Sequence, residues 1–358
     1  MRFLPAGLLI LTGLLLAAPA RAETSSWSSQ ADSKKAAGAA KGTKSAPAQK
    51  APAAAPPADS ASPATDGVSS HAKGAAQGED AAYEAFDQGR YLTALDLATK
   101  AAEKGDPQAH TLVGRIYGEG YGVAKDFALA AKWYARGAEL GDPEAMFAYA
   151  MLLASGQGVD KDYEAAARYF EAAAVRRHPM ANYNLALLFL KGEGKPENPY
   201  RGFMHMQFAA EAGVSAAQYD LGTLYATGTG VEPNAFEAAH WIGKAATAGH
   251  PEAALDFGVI LFRGHGIPVD EKRGAEMFRA AAEKGLASAQ DRLARCYFYG
   301  AGLDKNVAEG AKWYLIAKAG GIEDPGLEKL LGTLSSAERT KAQKAATEWR
   351  ERLQAGIE

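Results

Sequence analysis

Seven histidines, one cysteine and a few short glycine and acidic motifs are the residues of this chain whose types could do chemistry. His71, His110, His178, His205, His240, His250 and His265 include no H-E-x-x-H arrangement. No two of them have metal-ligand spacing on one helix face. His240 and His250 flank a helix end and read as structural. Cys296 stands alone, which rules out an intrachain disulfide and a thiolate metal site. Its position matches that of Ile116, Leu152 and Leu188, so it reads as a small buried hydrophobe. Ser70-His71-Ala72-Lys73 fits S-x-x-K in letters but lacks the companion motifs of that chemistry, and there is no G-x-S-x-G. Asp160-Lys161-Asp162 reads as a helix cap rather than a cation site. The recurrent G-x-G pairs lack the strand, third glycine and downstream acid of a dinucleotide site, and lack G-K-[ST]. The expectation is a non-enzyme with no catalytic residue, no metal and no cofactor.

Apart from Ser70–Lys73, which precede it, those residues sit in a register that repeats every 36 positions without a gap. Gly120, Gly156, Gly192, Gly228, Gly264 and Gly300 form one column, and Gly122, Gly158, Gly194, Gly230, Gly266 and Gly302 another. Ala109, Ala145, Ala181, Ala217, Ala253 and Ala289 form a third, and Asp126, Asp162, Asn198, Asn234, Asp270 and Asn306 a fourth. Within a unit, Ala109, Val113, Ile116 and Tyr117 share one helical face. Glycine then ends the helix, Asp126 caps a second one, and Ala130, Trp133, Tyr134 and Ala138 mark its inner face. The small column Gly114, Ala150, Ala186, Gly222, Gly258, Ala294 faces the column Ala130, Ala166, Gly202, Ala238, Gly274, Gly310, which lets paired helices approach closely. A lone hairpin cannot cover its apolar face, whereas stacked hairpins bury a continuous core. The predicted fold is all-α: a right-handed superhelical solenoid of six 36-residue helical hairpins, residues 105–320, with terminal caps. Residues 81–104 form an N-terminal capping hairpin and 321–358 C-terminal capping helices, with Ser336 as N-cap and Trp349 packed inward.

Composition separates this array from what precedes it. Residues 1–22 carry Arg2, an apolar run from Phe3 to Ala18, and Ala20-Arg21-Ala22, the pattern of a cleaved signal peptide. The run is shorter than the about 20 residues a membrane span needs, so the expectation is cleavage after Ala22, a periplasmic or secreted product and no stable membrane insertion. Residues 23–80, rich in Ala, Ser, Pro and Lys, read as a disordered tether. Lys34, Lys35, Lys41, Lys44 and Lys50 would allow weak contact with an anionic cell wall or membrane. The net charge of −3 argues against nucleic acid as a partner.

The stretch LVGRIYGEGYGVAKDFALAAKWYARGAELGDPEA (112–145) resembles the Sel1-like repeat, a relative of the tetratricopeptide repeat. The third unit departs from the pattern with Arg177, Lys195, Pro196, Pro199 and His205, and is expected to bend the rod. The resemblance implies a scaffold or adaptor, in exported bacterial members one that regulates envelope or signalling processes. It places ligands on the first-helix face of a concave groove. In this register the partner-binding residues would be Thr111, Phe147, Tyr183, Tyr219 and Leu255 in one column and Arg115, Met151, Leu187 and Thr223 in the next. Asp220 and Asp256 add carboxylates beside them. The expected partner is a protein or peptide. The alternatives are that the rings are ordinary core, and that the groove aromatics bind glycan or peptidoglycan.

Overall fold

The structure, a computed structural model, describes residues 76–356. The signal segment and the tether up to residue 75 lie outside the described residues. The described residues hold sixteen helices and no strand. An N-terminal hairpin of α1 (Ala76–Asp87) and α2 (Tyr91–Ala102) comes first, so helix begins inside the stretch read as tether. Six hairpins follow: α3 (Pro107–Glu119) with α4 (Phe127–Glu139), α5 (Pro143–Ser155) with α6 (Tyr163–Val175), and α7 (Pro179–Lys191) with α8 (Pro199–Glu211). The rest are α9 (Ser215–Thr227) with α10 (Ala235–Thr247), α11 (Pro251–Arg263) with α12 (Glu271–Glu283), and α13 (Ala287–Tyr299) with α14 (Val307–Ala319). A short α15 (Pro325–Gly332) and a long α16 (Ser336–Gln354) close the chain, and α16 packs on α14. Each hairpin otherwise packs on its neighbours in sequence, which is the architecture of an all-α repeat solenoid. Among the described residues no helix is long and apolar enough to cross a membrane.

Local chemistry explains the regularity. All six members of the Asp/Asn column accept backbone N–H bonds as N-caps of the second helices, as Asp162 does from Ala165 at 2.8 Å. Every first helix of the array ends on a left-handed glycine. The two small columns do face each other: a Cβ on Gly258 would lie 3.0 Å from the Gly274 carbonyl, and one on Gly222 would lie 3.0 Å from the Ala238 carbonyl.

The second glycine of each pair does more than reverse the chain. A Cβ on Gly194 would lie 2.2 Å from the Tyr163 carbonyl oxygen, and one on Gly230 would lie 2.2 Å from that of Pro199. From Gly158 to Gly302 each loop therefore presses its backbone onto the start of the preceding unit's second helix, where only glycine fits, whereas at Gly122 the nearest atom is the Tyr91 Cβ at 3.1 Å.

The third unit absorbs its substitutions locally. Arg177 takes a positive φ of 62° where all its counterparts, from Gly105 to Gly321, are glycine, and its N–H bonds Ala174 as that of Gly141 bonds Ala138. Pro199 occupies the first turn of α8 behind the cap Asn198. His205 replaces tryptophan, with Nδ1 2.9 Å from Asn182 Oδ1 and its ring stacked on Phe189, and Lys195 pairs with Glu171 at 2.7 Å. The backbone junction expected to bend keeps its neighbours' hydrogen bonds.

At the C-terminus the cap of α16 is Ser335, not Ser336. Ser335 accepts from the Glu338 N–H, and the Glu338 carboxylate accepts from the Ser335 N–H at 2.8 Å, a reciprocal capping box. Trp349 is half-buried and meets Trp313 edge-on at 5.3 Å.

Candidate functional site

The first helices α3, α5, α7, α9, α11 and α13 carry the candidate residues, and the stacking sets what each one touches. Residues of the Thr111 column reach the following unit at its first-helix N-cap, 31 positions on, or at a carboxylate 37 positions on, and Tyr219 reaches both. The Thr111 hydroxyl donates to the cap carboxylate of Asp142, and both are buried. Phe147 stacks on the cap His178 at 4.8 Å, and Tyr219 stacks on the cap His250 at 5.0 Å. Tyr183 donates to Asp220 at 3.0 Å, and Tyr219 donates to Asp256 at 2.8 Å. The column is thus a line of fasteners between successive units.

Burial tunes these pairs. It pushes the Asp220 carboxyl up to about 6, against the opposing pull of the Tyr183 hydrogen bond and the Lys191 charge. Asp256 is raised for the same reason, with Tyr219 pulling it down and Glu252 pushing it up. Burial, then the facing carboxylate, raises both phenols, so each tyrosine stays protonated and remains the donor. The Cys296 thiol is 3% exposed and is pushed by burial up to about 11, which keeps it a thiol at neutral pH.

The expected site residues divide by exposure. Tyr183 is 6% exposed and belongs to a core cluster with Phe203, Leu221 and Trp241, so its ring offers no free face. Thr111 is equally enclosed, whereas Phe147 and Tyr219 are half-buried. Leu255 packs at the rim of the C-terminal core cluster. In the Arg115 column, Met151 and Leu187 are half-buried, and Thr223 is exposed with its hydroxyl donating to its own helix. Arg115 is not free either: its guanidinium lies 4.9 Å above the Phe86 ring. Trp241 and Trp313 are buried, which leaves them no face for a sugar.

Sequence reasoning missed four residues at these junctions. His178 and His250 act as N-caps, and Glu144 and Glu252 lie beside their rings at 3.0 and 3.3 Å. The signal was the register itself, since the same position holds the capping carboxylates Asp106 and Asp142. Two further side chains, Gln218 and Gln290, donate across a unit boundary to the carbonyls of Ala210 and Ala282, at 3.1 and 3.2 Å. Each adds a second donor to a carbonyl that already accepts the backbone N–H of Gly213 or Gly285 at the helix end.

Comparison with known proteins agrees with this geometry. The Sel1 repeat family model matches residues 91–106, 107–142, 143–174, 179–214, 215–250, 251–286 and 287–322. The first match falls on α2, inside the hairpin read as a cap. Among solved structures the chain is similar to a protective antigen of uropathogenic Escherichia coli strains that displays an SLR fold, with 26% identity and a TM-score of 0.64. That match covers 74% of this chain and 56% of the antigen, so the chain spans little more than half its length. It is also similar to a Sel1 repeat protein from Oxalobacter formigenes, with 26% identity, a TM-score of 0.59, and coverage of 70% of this chain and 97% of that one. No curated protein sequence matches significantly.

Proposed function

We propose a function for a chain that belongs to the Sel1 repeat family: a non-enzymatic periplasmic scaffold that binds a protein or peptide partner along its first-helix groove. Members of the family generally mediate protein–protein interaction. The observation that carries the reading is the column of Met151, Leu187 and Val259. It recurs at one helical position and lies half-exposed at the rim of the core. Apolar side chains repeated along one open face suit an extended segment or a helix laid across several units. Phe147 and Tyr219 flank that column with half-exposed rings held in place by their histidine and aspartate partners. The buried Tyr183 and Thr111 support the groove from behind.

The periplasmic part of the reading rests on residues 1–22, whose composition fits an exported precursor. N-terminal sequencing of the exported chain is expected to begin at Glu23. A start within the apolar run would replace export by anchoring.

Photo-crosslinking residues placed at 151, 187 and 259 in cells test the groove. The expected result is covalent capture of one discrete protein from all three positions. Capture only from controls on the second helices, such as positions 204 and 236, would move the interface to the opposite face and overturn the reading.

A further inference from the structure

Two first-helix N-caps carry an imidazole where their counterparts carry a carboxylate. Asp106 and Asp142 cap α3 and α5, His178 and His250 cap α7 and α11, and Val214 and Leu286 fill the position without a side-chain bond. A backbone N–H can only donate. His178 Nδ1, 3.1 Å from the Ala181 nitrogen, must therefore be the unprotonated ring nitrogen; His250 Nδ1, 3.3 Å from the Ala253 nitrogen, accepts in the same way, with Glu252 Oε2 also 3.3 Å from it. In His178 this leaves the proton on Nε2, which faces Glu144 Oε2 at 3.0 Å. Protonation at Nδ1 would set donor against donor. It would also place a cation at a helix N-terminus, where the macrodipole is already positive. A charged carboxylate cap has lone pairs only, whereas an imidazole cap loses its acceptor as soon as the ring takes up a second proton.

Each of these caps is also part of a wall between units, because His178 stacks on Phe147 and His250 stacks on Tyr219. We propose that the junctions between the second and third and between the fourth and fifth 36-residue units are acid-sensitive hinges. Protonation of His178 and His250 releases the N-caps of α7 and α11, while the aspartate-capped α3 and α5 keep theirs.

The surrounding groups pull in both directions. His178 faces Glu144 on α5, a carboxylate that also feels Arg115 on α3; Arg176 and Arg177 immediately precede it, and Asn182 donates to its carbonyl at 2.9 Å. His250 has Glu252 Oε2 at 3.3 Å from Nδ1 and the Tyr219–Asp256 pair against its ring. Burial outweighs Glu252 and holds His250 below the ordinary imidazole range. Its cap is thus fully present above about pH 6.5 and is lost as pH falls through the folded value. Glu252 then accepts the new Nδ1 proton, so the acid state exchanges a backbone donor for a carboxylate. The hinge stands whatever the groove binds.

The test uses the full 15N-labelled chain. At pH 7.5 the imidazole spectra are expected to show unprotonated Nδ1 in both residues. Between pH 7.5 and 5, the amides of Ala181 and Ala253 are expected to lose protection about fivefold, the loss of one cap, after correction for intrinsic exchange. Those of Ala109 and Ala145 are expected to hold. The double variant H178N/H250N, whose caps do not titrate, is expected to lose the difference. Protonated Nδ1 at pH 7.5, equal protection of Ala181 and Ala253 at both pH values, or the same drop in the asparagine variant would each overturn the hinge.

Discussion

The hydroxyl of Tyr219 donates to the Asp256 carboxylate at 2.8 Å across a unit boundary, and one unit earlier Tyr183 makes the same bond to Asp220. A phenol and a carboxylate 37 residues apart thus tie consecutive first helices together at two successive steps.

Replacing Tyr219 by phenylalanine keeps the ring over His250 and strips the donor from Asp256. A half-buried carboxylate left without its partner costs about 1–3 kcal/mol. Urea unfolding is expected to show a loss of that size. A Tyr219→Phe/Asp256→Asn cycle is expected to return a coupling above about 0.5 kcal/mol, and additive losses would mean that the bond carries no stability.

Asp220 gives a pH signature of defined sign. Its carboxyl, pushed up to about 6 by burial, binds its proton more tightly folded than unfolded. The penalty of charging it is absent below about pH 4 and complete above about pH 6, so this residue makes the protein more stable as pH falls through that window. The wild-type minus Asp220→Asn difference in unfolding free energy is expected to change by about 2 kcal/mol between pH 7 and pH 4. A flat difference would remove the burial account.

Two glycines with positive φ separate conformation from contact. Gly213 has φ +91° and nothing within 4 Å of where a Cβ would stand, whereas Gly230 has φ +74° and the Pro199 carbonyl oxygen at 2.2 Å from that point. Gly213→Ala is expected to cost about 1 kcal/mol from backbone strain alone. Gly230→Ala must also push two units apart, and its loss is expected to exceed about 3 kcal/mol. Similar melting temperatures for the two variants would contradict the close approach.

Arg177→Gly is expected to stabilise the chain. Relief of the left-handed arginine is worth about 1 kcal/mol, offset in part by losing the guanidinium that lies 5.3 Å from the Phe208 ring. Calorimetry showing a lower melting temperature would mean that the stacking dominates.

Ser335→Ala is expected to cost about 1 kcal/mol by opening the capping box, while Ser336→Ala changes little. Thermal unfolding of the two variants distinguishes the caps.

Much of this was legible residue by residue. The second-helix caps from Asp126 to Asn306 follow from short polar side chains placed between a glycine turn and an apolar run. The box joining Ser335 to Glu338 is also written in its three-residue spacing, and favouring Ser336 overlooked it. The histidine caps were readable only by extending the Asp106 and Asp142 column through His178 and His250. The exposure of the groove column was not readable, because Tyr183 and Tyr219 share a position and a residue type yet differ in burial.

By itself, the amino-acid sequence determined the all-α repeat, its unit length, its turns and most of its caps. Each of these is decided within about a dozen residues by backbone sterics, capping and apolar period. Only the tertiary structure decided that Tyr183 reaches Asp220, that Phe147 lies on His178, and that Gly230 touches Pro199. Those contacts depend on how far one hairpin slides along the next, an offset set by interlocking side chains from both units at once and encoded in no single one.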